Sequence, residues 1–276
     1  QLAVAGDKRF AGSISGGCLE QALTEEAQIA MKEGTNRTLR YGTGSPYLDV
    51  RLPCGGGIDL YVDVNVDRVL LQSAIALGRA RRSFSLLFDP TSTRSSLRIE
   101  EQNVQARPGE FVRRFDPKLR IVLAGRGWEI VAMSQLAQTA DVELVVASQE
   151  PATLEFCRPY AHEVIQLTVP KATPKLPLDA HTAVACLFHE HEWEGPLLLD
   201  ALRSEAFYIG ALGSRQTHRR RVEVLEALGA TTDEIARLKG PLGLFPSQDP
   251  RSLAVSALAE IVMVRSNGNA AAKRGA

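Results

Sequence analysis

Two of the four cysteines stand beside glycines. Cys18 closes the run Ser15, Gly16, Gly17, Cys18 inside GSISGGCLE (12–20), and Cys54 precedes Gly55, Gly56 and Gly57 inside RLPCGGGIDLY (51–61). Downstream of Cys18, Leu23, Ala27 and the apolar residues 29–31 recur at helical spacing over 19–32, so the thiol falls at a helix N-terminus. There the unpaired N–H groups and the positive dipole end favour a thiolate or a bound anion. The alternative is a small buried cysteine packed at a strand-to-helix junction. Three consecutive glycines each lose roughly 0.5 to 1 kcal/mol more than alanine on folding, so the second loop implies positive φ angles or close approach of backbone to a ligand. A nest of N–H groups beside a thiol suits a phosphate or a sulfur-rich ligand; a tight hairpin or bulge is the structural alternative. Between the two, YGTGSP (41–46) offers hydroxyls for hydrogen bonding or simply turns the chain.

Two further glycine sites lie downstream. LRIVLAGRGWE (119–129) is a β-branched apolar run ending in Gly125 and Gly127, which reads as the first strand, phosphate turn and first helix of a dinucleotide-type domain. The third fingerprint position is Ile130, and the acid that would hold a ribose is Glu150, late after Ser148 and Gln149. An NAD(P) site is therefore incomplete, and a turn that only closes the fold is the competing reading. In IGALGSRQTHRRR (209–221), Gly210 and Gly213 open a turn, Ser214 or Thr217 can cap a helix, and Arg215, Arg219, Arg220 and Arg221 crowd its first turns. Cations there oppose the macrodipole by some tenths of a kcal/mol each, so the cluster points to an anion, with a solvated basic face as the alternative. Arg215, nearest the turn, is expected to fork onto a phosphate, and Arg220 and Arg221 to point elsewhere. His189 and His191 follow the apolar run 182–187, but their i, i+2 spacing and lack of a third ligand argue against a metal site. His189 is expected to make a polar contact at the carboxyl edge of a sheet. Cys157 and Cys186 read as core residues.

These residues need elements to hold them. A chain of 276 residues, 45% hydrophobic, can bury two cores. With 32 basic and 32 acidic residues no global field draws it to nucleic acid or membrane, and any anion site must be local. The cysteines form no C-x-x-C pair, and neither a secretory segment nor a long apolar span is present, which predicts a cytoplasmic protein with reduced thiols. Gln1 falls inside what reads as a strand, so the natural N-terminus is expected to lie upstream. The fold class is α/β: a smaller α+β N-terminal domain (1–113), a Rossmann-like domain with a parallel sheet (114–268) and a disordered tail (269–276). Within the first, 69–80 reads as a helix, 83–88 and 96–101 as a hairpin, and 107–117 as the linker. Within the second, strands are expected at 120–124, 142–147, 163–167, 182–187 and 206–209, with helices after most of them. A last helix is capped by Asp249 with Pro250 at its first position, buries Leu253, Ala257 and Ile261, and stops at Asn267 and Gly268.

Taken together, GSISGGCLE (12–20), YGTGSPYLDVRLPCGGGIDLY (41–61), the GRG at 125–127, the strand entering His189 and His191, FYIGALGSRQTHRRR (207–221) and GPLGL (240–244) resemble the XdhC/CoxI family of xanthine dehydrogenase accessory proteins. The resemblance covers nearly the whole chain and keeps the order of motifs. It implies a cysteine-bearing N-terminal domain joined to a Rossmann-like domain. It further implies a chaperone with no turnover of its own, which holds the sulfurated molybdenum cofactor and delivers it to apo xanthine dehydrogenase or a related hydroxylase. A homodimer, a cysteine desulfurase partner, and no nucleic-acid or membrane partner go with that reading. Molybdopterin carries a phosphate, a hydrogen-bonding pterin and a dithiolene, so its carrier needs N–H nests, polar loops and a soft thiolate. The candidate contacts are Ser15, Gly16, Gly17, Cys18, Cys54, Gly55, Gly56, Gly57, Gly125, Gly127, His189, Gly210, Gly213, Ser214 and Arg215. The sequence departs from the family where the second strand ends Ala147, Ser148 in place of aspartates, and where Phe245 and Pro246 follow GPLGL. An NAD(P)-dependent oxidoreductase using the Gly125 turn is the alternative function.

Overall fold

A computed structural model describes residues 1–276 except 15, 16, 18, 46–54, 100–105, 171–173, 189–190 and 275–276. The chain divides into two compact units, Gln1–Pro117 and Lys118–Ala276. The boundary falls after, not within, the stretch 107–117, because Phe111–Phe115 is a strand rather than linker.

In the first unit, β1 (Leu2–Val4) pairs antiparallel with β2 (Phe10–Gly12), followed by α1 (Glu20–Glu33) and the antiparallel pair β3 (Arg37–Gly42) and β4 (Gly57–Val62). Leu19 and Leu23 beside α1, and Leu39 and Tyr41 on β3, form one small core on which Ile14, Ile58 and Leu60 pack. The strand alternation makes this possible, since every second residue of β3 and β4 faces the helix. Then come α2 (Arg68–Arg79) and a sheet of β5 (Phe84–Asp89), β6 (Arg94–Ile99) and β7 (Phe111–Phe115), in order β6-β5-β7. Ala74 of α2 with Phe84 and Leu86 makes a second small core, and Phe84 stacks on Phe115 at 5.0 Å between ring centroids.

The second unit alternates β8 (Arg120–Gly125), α3 (Trp128–Ala137), β9 (Glu143–Ser148), α4 (Pro151–Cys157), β10 (Glu163–Gln166), β11 (Thr182–Leu187), α5 (His191–Leu202), β12 (Tyr208–Ala211), α6 (Arg215–Ala227), α7 (Thr232–Ala236), β13 (Leu238–Lys239) and α8 (Pro250–Arg274). All six strands are parallel, in order β10-β9-β8-β11-β12-β13. That is a doubly wound sheet whose order reverses between β8 and β11, and such reversals open a crevice at the carboxyl edge. β8 and β11 are buried at every position, which is why they read as unbroken apolar runs. One face of the sheet packs on α3 and α8 through Ile130, Met133, Ala254, Ala257 and Ile261, the other on α5 and α6 through Leu197, Leu198, Ala201 and Leu225. Helix α8 continues past Asn267 and Gly268 to Arg274, so the expected stop and disordered tail are not observed over 269–274. Ala270, Ala271 and Ala272 supply helix propensity that offsets the roughly 1 kcal/mol cost of one glycine. No helix among the described residues is long and apolar enough to cross a membrane.

Candidate functional site

Among the described residues, the chain's own side chains engage the glycine-loop groups of the first unit. Glu20, at the first position of α1 and 5% exposed, turns its carboxylate back into the preceding loop. It accepts from Ser13 Oγ (2.8 Å), the Ile14 N–H (2.8 Å), the Gly17 N–H (2.9 Å) and the Leu19 N–H (3.2 Å). The N–H concavity expected to take a ligand anion thus already holds an internal one. Ser15, Gly16 and Cys18 lie outside the described residues.

Gly55, Gly56 and Gly57 sit at the base of the β3–β4 hairpin, where Gly42 pairs with Gly57. Thr43 Oγ1 donates to the Gly55 carbonyl at 2.8 Å and the Thr43 N–H to the Gly56 carbonyl at 3.1 Å. The Arg40 guanidinium threads between them, pairing with Asp59 at 2.7 Å and donating to the Thr43 carbonyl at 3.0 Å. A Cβ on Gly57 would lie 2.8 Å from that carbonyl oxygen and 2.9 Å from Arg40 Nη2, so the position must be glycine for packing alone. Cys54 is outside the described residues. The two loops share one core, since Ile14 and Leu19 flank the first and Ile58 follows the second.

In the second unit, Gly125 (φ 146°) ends β8 with its Cβ position 2.5 Å from the Leu187 carbonyl oxygen, a close approach of the two central strands that no side chain would permit. Gly127 (φ 88°) begins α3, but its N–H is spent, donating to Thr153 Oγ1 at 3.1 Å, and Thr153 in turn donates to Glu150. Glu150, the sole candidate for a ribose contact, is held by α4's own threonine. Ser148, where a ribose acid would stand, is fully buried and accepts the Glu150 N–H at 3.1 Å. The Gly127 N–H and the Glu150 carboxylate are thus both engaged by Thr153.

Gly210 is also packing: its Cβ position falls 2.6 Å from Leu242 and from the Tyr208 hydroxyl. GPLGL runs along that strand and over α8. The Leu242 N–H donates to the Ala211 carbonyl (3.0 Å), the Gly243 N–H to Glu260 (2.7 Å) and the Phe245 N–H to Ser256 Oγ (2.9 Å). Tyr208 donates to the same Glu260 carboxylate at 2.6 Å, and burial together with that partner pushes its phenol far up.

At the crevice itself is a cleft of about 470 Å³. Its walls are Glu129 of α3, Gly213 and Thr217 at the start of α6, Glu194 of α5, and Asp249 and Pro250 at the start of α8. Gly213 (φ 132°) lets the chain turn directly into α6, and Ser214 caps that helix by accepting the Thr217 N–H at 3.1 Å. Asp249 caps α8 by accepting the Ser252 N–H at 2.8 Å, which holds its carboxyl below the usual carboxylate range. Of the four arginines expected to gather on an anion, Arg215, Arg219 and Arg220 are exposed, whereas Arg221 is 2% exposed. Arg221, expected to point elsewhere on the helix, turns inward. Its Nη2 meets Glu194 at 2.7 Å and donates to the Leu212 carbonyl, two groups that both line the cleft. Its Nε and Nη1 have no hydrogen-bond partner among the described residues. Cys186 donates to Glu194 at 4.0 Å, and burial beside that carboxylate pushes the thiol up. His189 lies outside the described residues.

Sequence reasoning missed Glu129, Glu194 and Asp249 as cleft walls and missed the inward turn of Arg221. The last had a signal: Arg221 precedes Leu225 by one helical turn, and Leu225 is fully buried.

The second unit is thus a Rossmann-type domain with a polar cleft at its switch point. Residues 121–261 match the XdhC Rossmann domain and residues 1–42 the XdhC and CoxI family. The chain belongs to the XdhC/CoxI family. It is 32% identical over 275 residues to the molybdenum cofactor insertion chaperone PaoD of Escherichia coli (strain K12), covering 96% of this chain and 77% of that protein. It is 25% identical over 160 residues to a probable xanthine dehydrogenase subunit from Bacillus subtilis (strain 168), covering 56% of this chain and 46% of that one. A crystal structure of a xanthine dehydrogenase from Bacillus halodurans has the same fold, with a TM-score of 0.73 at 23% identity, over 96% of this chain and 86% of that one.

Proposed function

We propose that this chain is a molybdenum-cofactor chaperone, which binds the cofactor and passes it to xanthine dehydrogenase or a related molybdenum hydroxylase with no turnover of its own. The observation that carries this reading is the 32% identity, over 96% of the chain, to a protein named as a molybdenum cofactor insertion chaperone. The cleft supports it: about 470 Å³ lies inside the range of roughly 300 to 1,000 Å³ typical of small-molecule sites. The competing oxidoreductase reading needs turn N–H groups free for a pyrophosphate, and the Gly127 N–H is engaged by Thr153. The proposal includes a thiolate contact from Cys18 or Cys54 to the molybdenum centre or its sulfur, a cysteine desulfurase as sulfur donor, and assembly of two copies.

The test is purification of the chain from a host that makes the cofactor, with pterin and molybdenum measured on the protein, followed by addition to an apo hydroxylase. Retained cofactor and more hydroxylase activity than free cofactor gives are expected. Neither retention nor stimulation, or tight NADH binding by calorimetry, would overturn the reading.

A further inference from the structure

Helix α8 buries Leu253, Ala254, Ala257 and Ile261 on its inner side, in the core it shares with α3. The outer side of such a helix should be charged, as it is on α6, where Arg215, Arg219, Arg220, Glu223 and Glu226 are exposed. On α8 it is not. The outward residues are Ser252, Val255, Ala259, Val262 and Ser266, with Met263 beside them, and none carries a charge. Val255, Val262 and Met263 are 50%, 41% and 43% exposed. The loop after β13, tied to this helix by the Phe245 N–H on Ser256 Oγ at 2.9 Å, adds Leu244 and Phe245, 49% and 46% exposed. Single exposed apolar residues need no explanation, but a continuous row of them is the mark of a surface that another molecule covers.

The spacing and the side-chain sizes say what fits there. The row advances by 3, 4, 3 and 4 residues, the seam of a paired helix, and it alternates small residues (Ser252, Ala259, Ser266) with valines (Val255, Val262). A matching helix must therefore offer valine where this one is small. The same row running in the opposite direction does so. With Val262 set on Ala259 of a second copy, Val255 falls on its Ser266, and a two-fold axis repeats both contacts. Charge permits this register. Glu260 is turned to the Tyr208 hydroxyl and the Gly243 N–H, and Arg251 and Arg265 stand across from uncharged stretches of the copy, 267–272 and 253–259.

We propose that this face of α8 is where two copies of the chain pair, antiparallel about a two-fold axis, through Val255, Ala259 and Val262. The inference locates the two-copy assembly that belongs to the chaperone reading above, and it holds whatever the cargo. The row is about 21 Å long at roughly 1.5 Å per residue. Such a contact lies at the small end of specific interfaces, on the order of 1,000 Å², so the dimer should dissociate at micromolar concentrations.

The test is analytical ultracentrifugation of the full chain over a concentration series. Val262→Glu probes the row, and Val69→Glu on α2 is the control, since Val69 is 66% exposed but belongs to the first unit. Glutamate is tolerated at an exposed helical position, and melting of dilute protein reports the fold. A monomer–dimer equilibrium in the parent chain, association at least tenfold weaker in Val262→Glu and no change in Val69→Glu are expected. Mixing Val262→Glu with Ala259→Lys, which this register sets opposite each other, should recover association that neither shows alone. No recovery in the mixture would overturn the antiparallel register. A dimer untouched by Val262→Glu, or broken by Val69→Glu, would overturn this surface while leaving two-copy assembly in place. A parent chain that stays monomeric throughout would overturn both, and cofactor retention, measured separately, would still decide the chaperone reading.

Discussion

Single side chains do unusually large jobs here, and two of them are acids that replace an expected ligand. Glu20 fills the N–H concavity of its own loop, so Glu20→Ala strands at least the Ile14 and Leu19 N–H groups. We expect a loss of about 2–3 kcal/mol in urea unfolding, and faster proteolysis at the loop. For Glu194 and Arg221, both nearly fully buried, Arg221→Met alone should cost roughly 3–5 kcal/mol by removing the cation beside a buried carboxylate, whereas Arg221→Met with Glu194→Leu should recover most of it. Equal losses in single and double variants would show that the pair is not coupled. His218 gives a pH signature. Burial, then the Arg221 charge, lowers its pKa below the ordinary 6.5, against an opposing pull from Glu194. The unfolded chain therefore takes up the proton first. Stability should be complete above 6.5 and decline as pH falls through 6.5 toward the folded value, and His218→Gln should flatten that slope in melts run across the range. The inward arginine was legible in part, through its spacing from Leu225; the carboxylate that fills the first loop was not, because nothing in GSISGGCLE distinguishes a nest that awaits a ligand from one closed by its own last residue.

At the scale of elements, the parallel strands of the second unit were readable because a strand buried on both faces is a continuous apolar run, as in IVLA and TAVACL. The ends of the five expected strands fall within two residues of expectation, whereas the two-residue β13 was not anticipated. β7 was missed because FVRRF, with two adjacent apolar and two adjacent basic residues, lacks strand alternation and sits among charges and prolines, so only its pairing with β5 reveals a strand. The glycines divide in the same way. Gly213 shapes the cleft, while Gly57, Gly125 and Gly210 exist because something else occupies the space a side chain would need. Gly240 joins the second group: a Cβ there would fall 2.1 Å from His218 Nδ1. Gly240→Ala should therefore displace the imidazole or the start of GPLGL, lowering the melting temperature by several degrees, and His218→Ala combined with it should restore part of the loss. No recovery in the double variant would place the strain in the backbone instead.

At the scale of the molecule, the two units are unequally built. The second has two large clusters on the faces of one sheet, whereas the first divides its apolar residues between two small ones. Residues 118–276 expressed alone should fold with a cooperative melt, and residues 1–117 alone should be the more labile and protease-sensitive fragment. A non-cooperative melt of the larger fragment would show that it depends on its neighbour. Within the larger unit, two walls of the cleft are the first turns of α3 and α8, and these helices pack together over a core that includes Ala254 and Ala257, among the smallest side chains available. The calibre of the opening is thus set remotely, by how closely two helices are allowed to approach beneath it. A methyl group gained or lost at Ala257 would change the width of the opening without altering any atom of its lining, so the shape of this cleft can drift through the core while its walls keep the same residues.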